Sequence, residues 1–463
     1  MSTDGAIVIP PAPLQTSLQT RNSTGNRILL ASVSVTAAGV VVKVAAMFKE
    51  AAVASVFGRS DAMDAFLAAF LVPNLLINLI AESMNQALIP TLIRVRLQQG
   101  HARAQKLLSN SMSATTSMLV VVSVVIAVLA RFFFPLIGSN FGASKLTLSI
   151  HLFYALLPCV VLGGIASNCT AVLNTLGRFT WPALAPLIVS ACIVVSILAF
   201  HLSLGVWALV LGTIAGTAIQ VGALALGMHI RGYAFQFRWR GHDEADREVA
   251  RQFGPALLSS LVASGGLLVD QAMAAMLPAG SVSTLVFAGR FTGVVITLLA
   301  GSLATAVAPY LSELAARRDW PACRAALRIW PVRAALVSVP IAVALILGAH
   351  PLVRITLQHG AFTAHDSAAV ASVLAMYAVQ IPFFVVSRVY YRFVVAMRRT
   401  DLIFYCGTTN LGLDIALNLI LMRFMGVAGI ALSTSIWTVS TCLLFWYWSR
   451  RLLAAAETGI AHP

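Results

Sequence analysis

Charged side chains are scarce in this chain. Asp, Glu, Lys and Arg make up 10% of its 463 residues, where soluble domains carry about 25%. With 59% hydrophobic residues and a mean hydropathy of +0.88, the composition excludes a soluble domain. It places the chain among polytopic membrane proteins. Acids are the scarcer sign, 16 against 31 Lys and Arg, for a net charge of +15. In an apolar chain this excess reads as loop charge on one membrane face, not as a nucleic-acid footprint, and no nucleic-acid partner is expected.

Other absences narrow the function. There is no Walker A run, which excludes an ATP-driven pump on this chain alone. No Ser/His/Asp or HExxH arrangement is present, and no enzyme is expected. The six cysteines, Cys159, Cys169, Cys192, Cys323, Cys406 and Cys442, form no CxxC and no Cys/His cluster. They read as small buried hydrophobes rather than a metal site or a disulfide framework. His359 and His365 frame HGAFTAHD on one loop, and no metal is expected there. Nothing resembles a signal-peptide core, because the apolar run AIVIP is too short. Residues 1–27, with paired prolines, read as a disordered cytoplasmic tail.

What is present is a series of apolar runs. A spanning helix needs about 20 apolar residues, and twelve segments reach that scale: 28–56, 61–91, 108–134, 147–176, 181–201, 205–230, 250–278, 282–310, 328–350, 368–397, 401–423 and 427–449. The loops alternate in charge. One side holds 21 cations, among them Arg94, Arg103, Arg247, Arg317 and Arg450, and the other 5, Arg59, Arg131, Lys145, Arg354 and Arg423. That asymmetry predicts both termini in the cytoplasm. The expected fold class is an all-α membrane protein of two six-helix lobes, 28–230 and 250–450, around a central cationic cavity. A cytoplasmic linker at 231–249 and a tail at 451–463 complete it.

Ten charges lie within the spans: Lys43, Lys49, Arg290, Arg388, Arg392, Glu50, Asp64, Glu82, Asp270 and Asp414. Each costs about 2.5–3.5 kcal/mol at mid-membrane if unpaired, so together they exceed a folding stability of about 5–15 kcal/mol. They must face one another or water. In the second span Asn74, Asn78, Glu82, Asn85 and Gln86, with Asp64 behind Pro73, fall on one helical stripe at about 100° per residue. Asn410, Asp414 and Asn418 repeat the spacing in the eleventh span. Each stripe is either a cavity wall or a line of helix–helix hydrogen bonds. LIAESMNQALIPTL (79–92) matches LLAGSLATAVAPYL (298–311) at six of fourteen positions. This points to a parallel repeat with the binding site between halves.

Rise along the helices sets Lys43 and Arg290 at comparable depth, one in each half. Converging cations suit a phosphate or carboxylate. Lys43, Lys49, Arg290, Arg388, Asn78 and Glu82 are the candidate substrate-binding residues. Asp64, Glu50 and Asp414 are candidates for coupling or gating, and Glu50 and Asp414 equally suit structural pairing with the cations.

FGRSDAMDAFLAAFLVPNLLINLIAESMNQALIPTL (57–92), LNTLGRFTWPALAP (173–186), LPAGSVSTLVFAGRF (277–291) and LQHGAFTAHD (357–366) together resemble the signature elements of the MurJ/MviN family, in family order. The resemblance implies a flippase of the multidrug/oligosaccharidyl-lipid/polysaccharide exporter superfamily. Its implied substrate is lipid II, the undecaprenyl-diphosphate-linked peptidoglycan precursor, or a related polyprenyl-linked exopolysaccharide unit. It implies alternating access in the bacterial inner membrane, with no cofactor and with the membrane potential or an ion gradient as drive. Besides the glycan and the bilayer, cell-wall or polysaccharide synthesis proteins are the partners it suggests. Carried over by position, Lys43 and Lys49 stand where the family usually has first-span arginines, Arg290 keeps the eighth-span arginine, and Asp64 and Glu82 keep its acids. Asn78 replaces a frequent Arg and Gly293 a frequent acid, and the family's two further C-terminal spans have no counterpart here. Two other readings stay open, a cation-coupled drug antiporter of the same superfamily and a nontransporting partner in polysaccharide synthesis.

The charge asymmetry is directly testable. Reporter fusions after Arg103 and after Arg317 should read cytoplasmic, and fusions near Asp366 periplasmic. A periplasmic reading at either basic loop would overturn the orientation.

Overall fold

The computed structural model describes residues 37–458 apart from 138–140, 240 and 242. The expected N-terminal tail lies outside them. Among the described residues the structure is helical throughout, with no strand. The first lobe holds α1 (37–57), α2 (Asp61–Gln99), α3 (His101–Ile137), α4 (Ala143–Thr175), α5 (Thr180–Leu184), α6 (Pro186–Leu204) and α7 (Trp207–His229). Then follow α8 (Glu244–Ala275), α9 (Ser281–Ala316), α10 (Trp320–Leu347), α11 (Ala349–Leu357), α12 (Ala364–Ala378), α13 (Gln380–Ala396), α14 (Thr400–Met425) and α15 (Val427–Thr458).

Ten helical stretches among the described residues are long and apolar enough to cross a bilayer, and the bent α8 makes eleven. The first of the twelve expected spans is described only from residue 37, as α1. Prolines explain where spans divide. Pro186 starts α6 directly after α5, and Pro382, lacking an N–H, follows the break between α12 and α13. α15 continues past the expected end at 450 to Thr458, because Leu452 and Leu453 are buried and Glu457 pairs with Arg324.

The basic loops lie at one end of the bundle, the basic end, and the opposite end is the far end. At the far end a single apolar core joins both lobes, with Val53, Met63 and Phe153 of the first packed together with Phe287, Phe362 and Tyr377 of the second. Toward the basic end the core divides. Leu88, Leu108, Met112 and Val172 form one cluster; Leu311, Val389, Phe393 and Phe445 form another. The lobes are therefore fused at the far end and parted below it. Outward faces such as Val121, Val128, Leu198 and Leu336 remain exposed, as surfaces that meet lipid do.

α8 is the exception to the division. It bends by 42° between Leu261 and Ser264, next to the Gly265–Gly266 pair that weakens the helix locally. Its first half packs on the first lobe, where Val249 and Phe253 join the Leu88 cluster and Glu248 pairs with Arg94. Asp243 closes a capping box at its N-terminus. A hydrogen bond from Lys106, reinforced by the charges of Lys106 and Arg103, holds the Asp243 carboxyl below its ordinary pKa. The second half of α8 belongs to the second lobe. The segment expected as linker and the start of the second lobe thus rides on the first.

Two glycines allow the closest backbone approach of the far end. The Ala361 N–H donates to the Ser55 carbonyl at 2.8 Å. Gly360 has φ +58°, and a Cβ there would sit 2.2 Å from the Ser55 carbonyl oxygen. Gly58 has φ +56°, and its Cβ would sit 2.7 Å from the Ala361 oxygen. Any other residue would be strained by its left-handed backbone and would push α1 away from the loop. This is the physical content of the FG and HGAF elements.

Candidate transport site

The charges of α1 and α9 meet in the seam between the lobes. Glu50 is buried, 4% exposed, and one of its oxygens, Oε1, takes both Lys49 Nζ at 2.8 Å and Arg290 Nε at 3.1 Å. A carboxylate of the first lobe thus holds an arginine of the second. The Arg290 side chain is still 52% exposed, so most of its guanidinium is free for another anion. Lys43, seven residues before Glu50, falls on the same face of α1 at about 100° per residue and has no ion pair among the described residues. Lys43, Lys49, Glu50 and Arg290 therefore form one group, with Glu50 as its internal counter-ion.

An apolar groove of about 730 Å³ runs along the same seam, lined by Val44, Met47, Phe48, Phe291, Val294 and Ile355 among others. Phe48 and Ile355 are each 73% exposed, so the groove opens sideways toward lipid. On α1, at about 100° per residue, the groove residues and Glu50 fall on different faces. One side of the seam is apolar and the other charged.

The α2 stripe is open where a cavity requires it. Asn78, Glu82 and Gln86 are exposed while Leu79, Ile80, Ser83, Met84 and Ala87 between them are buried. Asn78 Nδ2 donates to the Asn74 carbonyl at 2.9 Å, and Glu82 has no ion pair among the described residues. Exposed polar groups on a helix otherwise packed into the bundle line water, not lipid. Asp64 does not belong to this stripe, as the sequence had suggested; it is 1% exposed and serves the far end. Arg388 also stands apart. It stacks on Phe384 and Tyr391, 4.2 and 5.6 Å from their ring centroids. Counting about 1.5 Å per residue from the far ends of α12 and α9, it lies roughly 20 Å below Arg290.

The far end is latched by polar contacts between lobes. Gly280 N–H donates to Asp64 Oδ2 at 2.6 Å and Ser283 N–H to Asp64 Oδ1 at 2.9 Å. The N-terminus of α9, with its positive end of the helix dipole, is thus capped by an acid of α2. Lys145 of α4 reaches Asp64 at 3.2 Å and Asp61 at 2.7 Å. Arg59 donates to the Gly280 carbonyl at 3.2 Å and pairs with Asp366 at 3.2 Å. Lys145, Arg59 and Asp366 were not singled out from sequence as site residues. Their signal was an isolated charge at the end of an apolar span.

The α14 stripe is packed, not open. Asp270 of α8 accepts from Asn418 Nδ2 at 2.8 Å and from Thr434 Oγ1 at 2.9 Å. Asp414 Oδ1 accepts from Ser433 Oγ at 3.3 Å, while its Oδ2 is buried without a hydrogen-bond partner. Asp270 is 4% exposed, Asp414 1% and Asn418 0%. These are two carboxylates in one buried pocket of the second lobe, with no cationic side chain paired to either among the described residues. Asp270 was noted as an intramembrane acid but not placed in a site.

With this geometry in hand, similarity decides the family. The sequence model described as lipid II flippase MurJ matches residues 53–462. The chain belongs to the MurJ lipid II flippase family. It is 30% identical over 349 residues to the lipid II flippase MurJ of Burkholderia cenocepacia, covering 73% of this chain and 67% of that protein. It is 24% identical over 423 residues to a probable lipid II flippase MurJ of Buchnera aphidicola, covering 87% and 80%. A solved lipid II flippase MurJ in an inward closed conformation superposes with a TM-score of 0.76 at 21% identity, over 94% of each chain. An inward-facing multidrug transporter of the MATE family and MOP superfamily gives 0.74 at 15% identity, over 91% of this chain and 100% of that one. Membership of MurJ makes this a multi-pass membrane transporter rather than an enzyme.

The latch gives a prediction. Asp64→Asn keeps the shape but loses the charge facing Lys145 and one strong acceptor. Charge-assisted hydrogen bonds are worth about 1.5–3 kcal/mol, so the far end should open roughly 10- to 100-fold more often. The measurement is labelling of Ser281→Cys, in a cysteine-free background, by an impermeant thiol reagent added from the far side. Unchanged labelling would show that Asp64 does not hold that end shut.

Proposed function

We propose that this chain moves lipid II across the bacterial cytoplasmic membrane by alternating access, with both termini in the cytoplasm, and delivers it to cell-wall synthesis proteins outside. The observation that carries the reading is the seam between α1 and α9. A polyprenyl-diphosphate glycan has a long apolar tail, a dianionic linker and a polar head. The seam offers an apolar groove open to lipid, Arg290 and Lys43 beside it, and a polar α2 stripe further in. In the structure Glu50 occupies Arg290. A diphosphate competes for the same guanidinium with more charge and more acceptors. Its arrival frees Glu50 to Lys49 alone and loosens the contact between lobes. A cavity for a cationic drug would need the opposite charge, so Arg290 and Lys43 disfavour the antiporter.

Arg290→Ala should lower transport of a labelled polyprenyl-diphosphate glycan in proteoliposomes by about 10- to 100-fold, the worth of one charge-assisted contact. Inserted protein should stay abundant, because Glu50 keeps Lys49. Arg290→Lys should retain part of the activity, since the charge survives and the fork does not. Undiminished transport by well-expressed Arg290→Ala would remove Arg290 from substrate handling.

The drive is assigned to the Asp270–Asp414 pocket. Two carboxylates sharing a buried site cannot both stay ionised without a proton or a small cation between them. The oxygen donors of Asn418, Ser433 and Thr434 suit either. α8 carries Asp270 on the far-end side of its bend and docks on the first lobe on the basic-end side, so neutralising the pocket bears on the helix that joins the lobes. Asp414→Asn should make transport indifferent to an imposed sodium or proton gradient while leaving substrate binding intact. Gradient dependence that survives Asp414→Asn would place the drive elsewhere.

A further inference from the structure

Between α7 and α8 the chain runs as a non-helical strap, residues 233–239, along the basic-end part of α3. The strap is pinned through its backbone. Gln105 accepts from the Ala234 N–H at 2.9 Å and donates to the Ala234 carbonyl at 2.8 Å. Four residues on, Ser109 Oγ accepts from the Arg238 N–H at 3.2 Å and donates to the Arg238 carbonyl at 2.7 Å. Tyr233 is buried against His101, ring to ring at 4.4 Å. Beyond it every second side chain is aromatic and exposed: Phe235 37%, Phe237 49% and Trp239 47%. Phe235 and Phe237 meet edge to face at 5.1 Å. Alternation at i, i+2 and i+4 puts the three on one face of an extended chain.

The charge beside them is positive. Arg231 and Arg238 are exposed and make no ion pair among the described residues. Of the neighbouring acids, Asp243 faces Arg103 and Lys106 and Asp246 faces Asn110, which leaves Glu244 as the exposed one, against Arg231, Arg238 and Arg247.

The level of the strap follows from α3. Val120, Val121, Val124, Val125, Val128 and Phe132 are exposed along it, and Arg131 marks the far boundary. About 30 Å of hydrocarbon is about 20 residues, so the near boundary falls around residue 112. Ser109 then lies roughly 5 Å beyond it, within the headgroup layer, and Gln105 roughly 10 Å beyond it, at the outer edge of that layer. Aromatic residues with arginines at that depth suit a bilayer interface, and the leaflet on the cytoplasmic side is the anionic one.

We infer that the 233–239 strap is an anchor for anionic phospholipid headgroups of the cytoplasmic leaflet, with Phe235, Phe237 and Trp239 seated in the interface and Arg231 and Arg238 on the phosphates. The anchor is independent of what the central cavity carries. Because the strap leads directly into the cap of α8, it ties the start of that helix to the membrane surface as well as to α3.

The test uses the full chain in nanodiscs of phosphatidylcholine alone or with phosphatidylglycerol. A nitroxide at Phe237→Cys, in a cysteine-free background, reports collisions with oxygen and with a water-soluble nickel chelate. With phosphatidylglycerol the label should be shielded from the chelate and reached by oxygen. Shielding should fall in phosphatidylcholine and in Arg231→Ser/Arg238→Ser, whose two lost charges weaken anchoring by about 30-fold, near fivefold each. Native mass spectrometry of the Arg231→Ser/Arg238→Ser protein, with its aromatic residues intact, should show loss of retained phosphatidylglycerol. A label bathed in chelate in both lipids would overturn the anchor and leave the face to a cytosolic protein. Shielding that ignores both phosphatidylglycerol and the arginines would overturn it as well, and a dimer mass would then assign the face to a second copy.

Discussion

Capping of the α9 N-terminus by Asp64 is the contact on which the arrangement depends. An acid from the first lobe accepts two backbone N–H groups of the second at a depth where unmet polar groups are costly. It also answers Lys145, so one carboxylate satisfies a helix end, a buried cation and the junction of two lobes. With that end fixed, α9 descends with Arg290 about 13 Å below its start, where Glu50 meets it. The apolar core fuses around the same end and splits below it. The exposed polar face of α2 lies where the lobes are parted.

The bent α8 shows why such a structure can change state as a unit. Its basic-end half carries the charge contacts of that end, Glu248 with Arg94 and Asp243 with Arg103 and Lys106. Its far-end half carries Asp270 into the second lobe. Rotation of one lobe against the other must either move the bend at 261–264 or break one of these attachments. The surface pairs are weak and easily exchanged with water. The buried carboxylate pocket is not, because each unmet charge there is expensive.

Much of this was legible in the sequence because lipid imposes a narrow set of rules. Apolar runs of spanning length located nearly every helix, and the cost of charge required all ten intramembrane charges to be compensated, without saying which meet. The spacing of Asn78, Glu82 and Gln86 put them on one face without deciding between a cavity wall and helix–helix contact, and in the structure all three are exposed. Other features were hidden for a definite reason. Periodicity says which residues share a face but not what faces them. Thus Asn410, Asp414 and Asn418 gave the same pattern as the α2 stripe yet pack against Asp270 and Ser433. Asp64 fell on the stripe by angle and left it by depth. Arg388 shares charge with Arg290 but not its level. The division of α8 between lobes depends on a tertiary docking that no local pattern records.

The intramembrane charges therefore sort by how each is compensated, and the compensation indicates the work each can do. Asp64 is satisfied by fixed backbone and by Lys145, so it holds. Glu50 is shared between Lys49 and Arg290 through a single oxygen, so a better anion can displace it. Asp414 keeps one buried oxygen without a hydrogen-bond partner. Under the proposed function these three serve as a latch, a displaceable counter-ion and a coupling site. The same ordering distinguishes the two cations on Glu50. Lys49 meets it as a point charge, whereas Arg290 holds it by Nε and leaves the rest of its guanidinium for other acceptors, which a single ammonium cannot do.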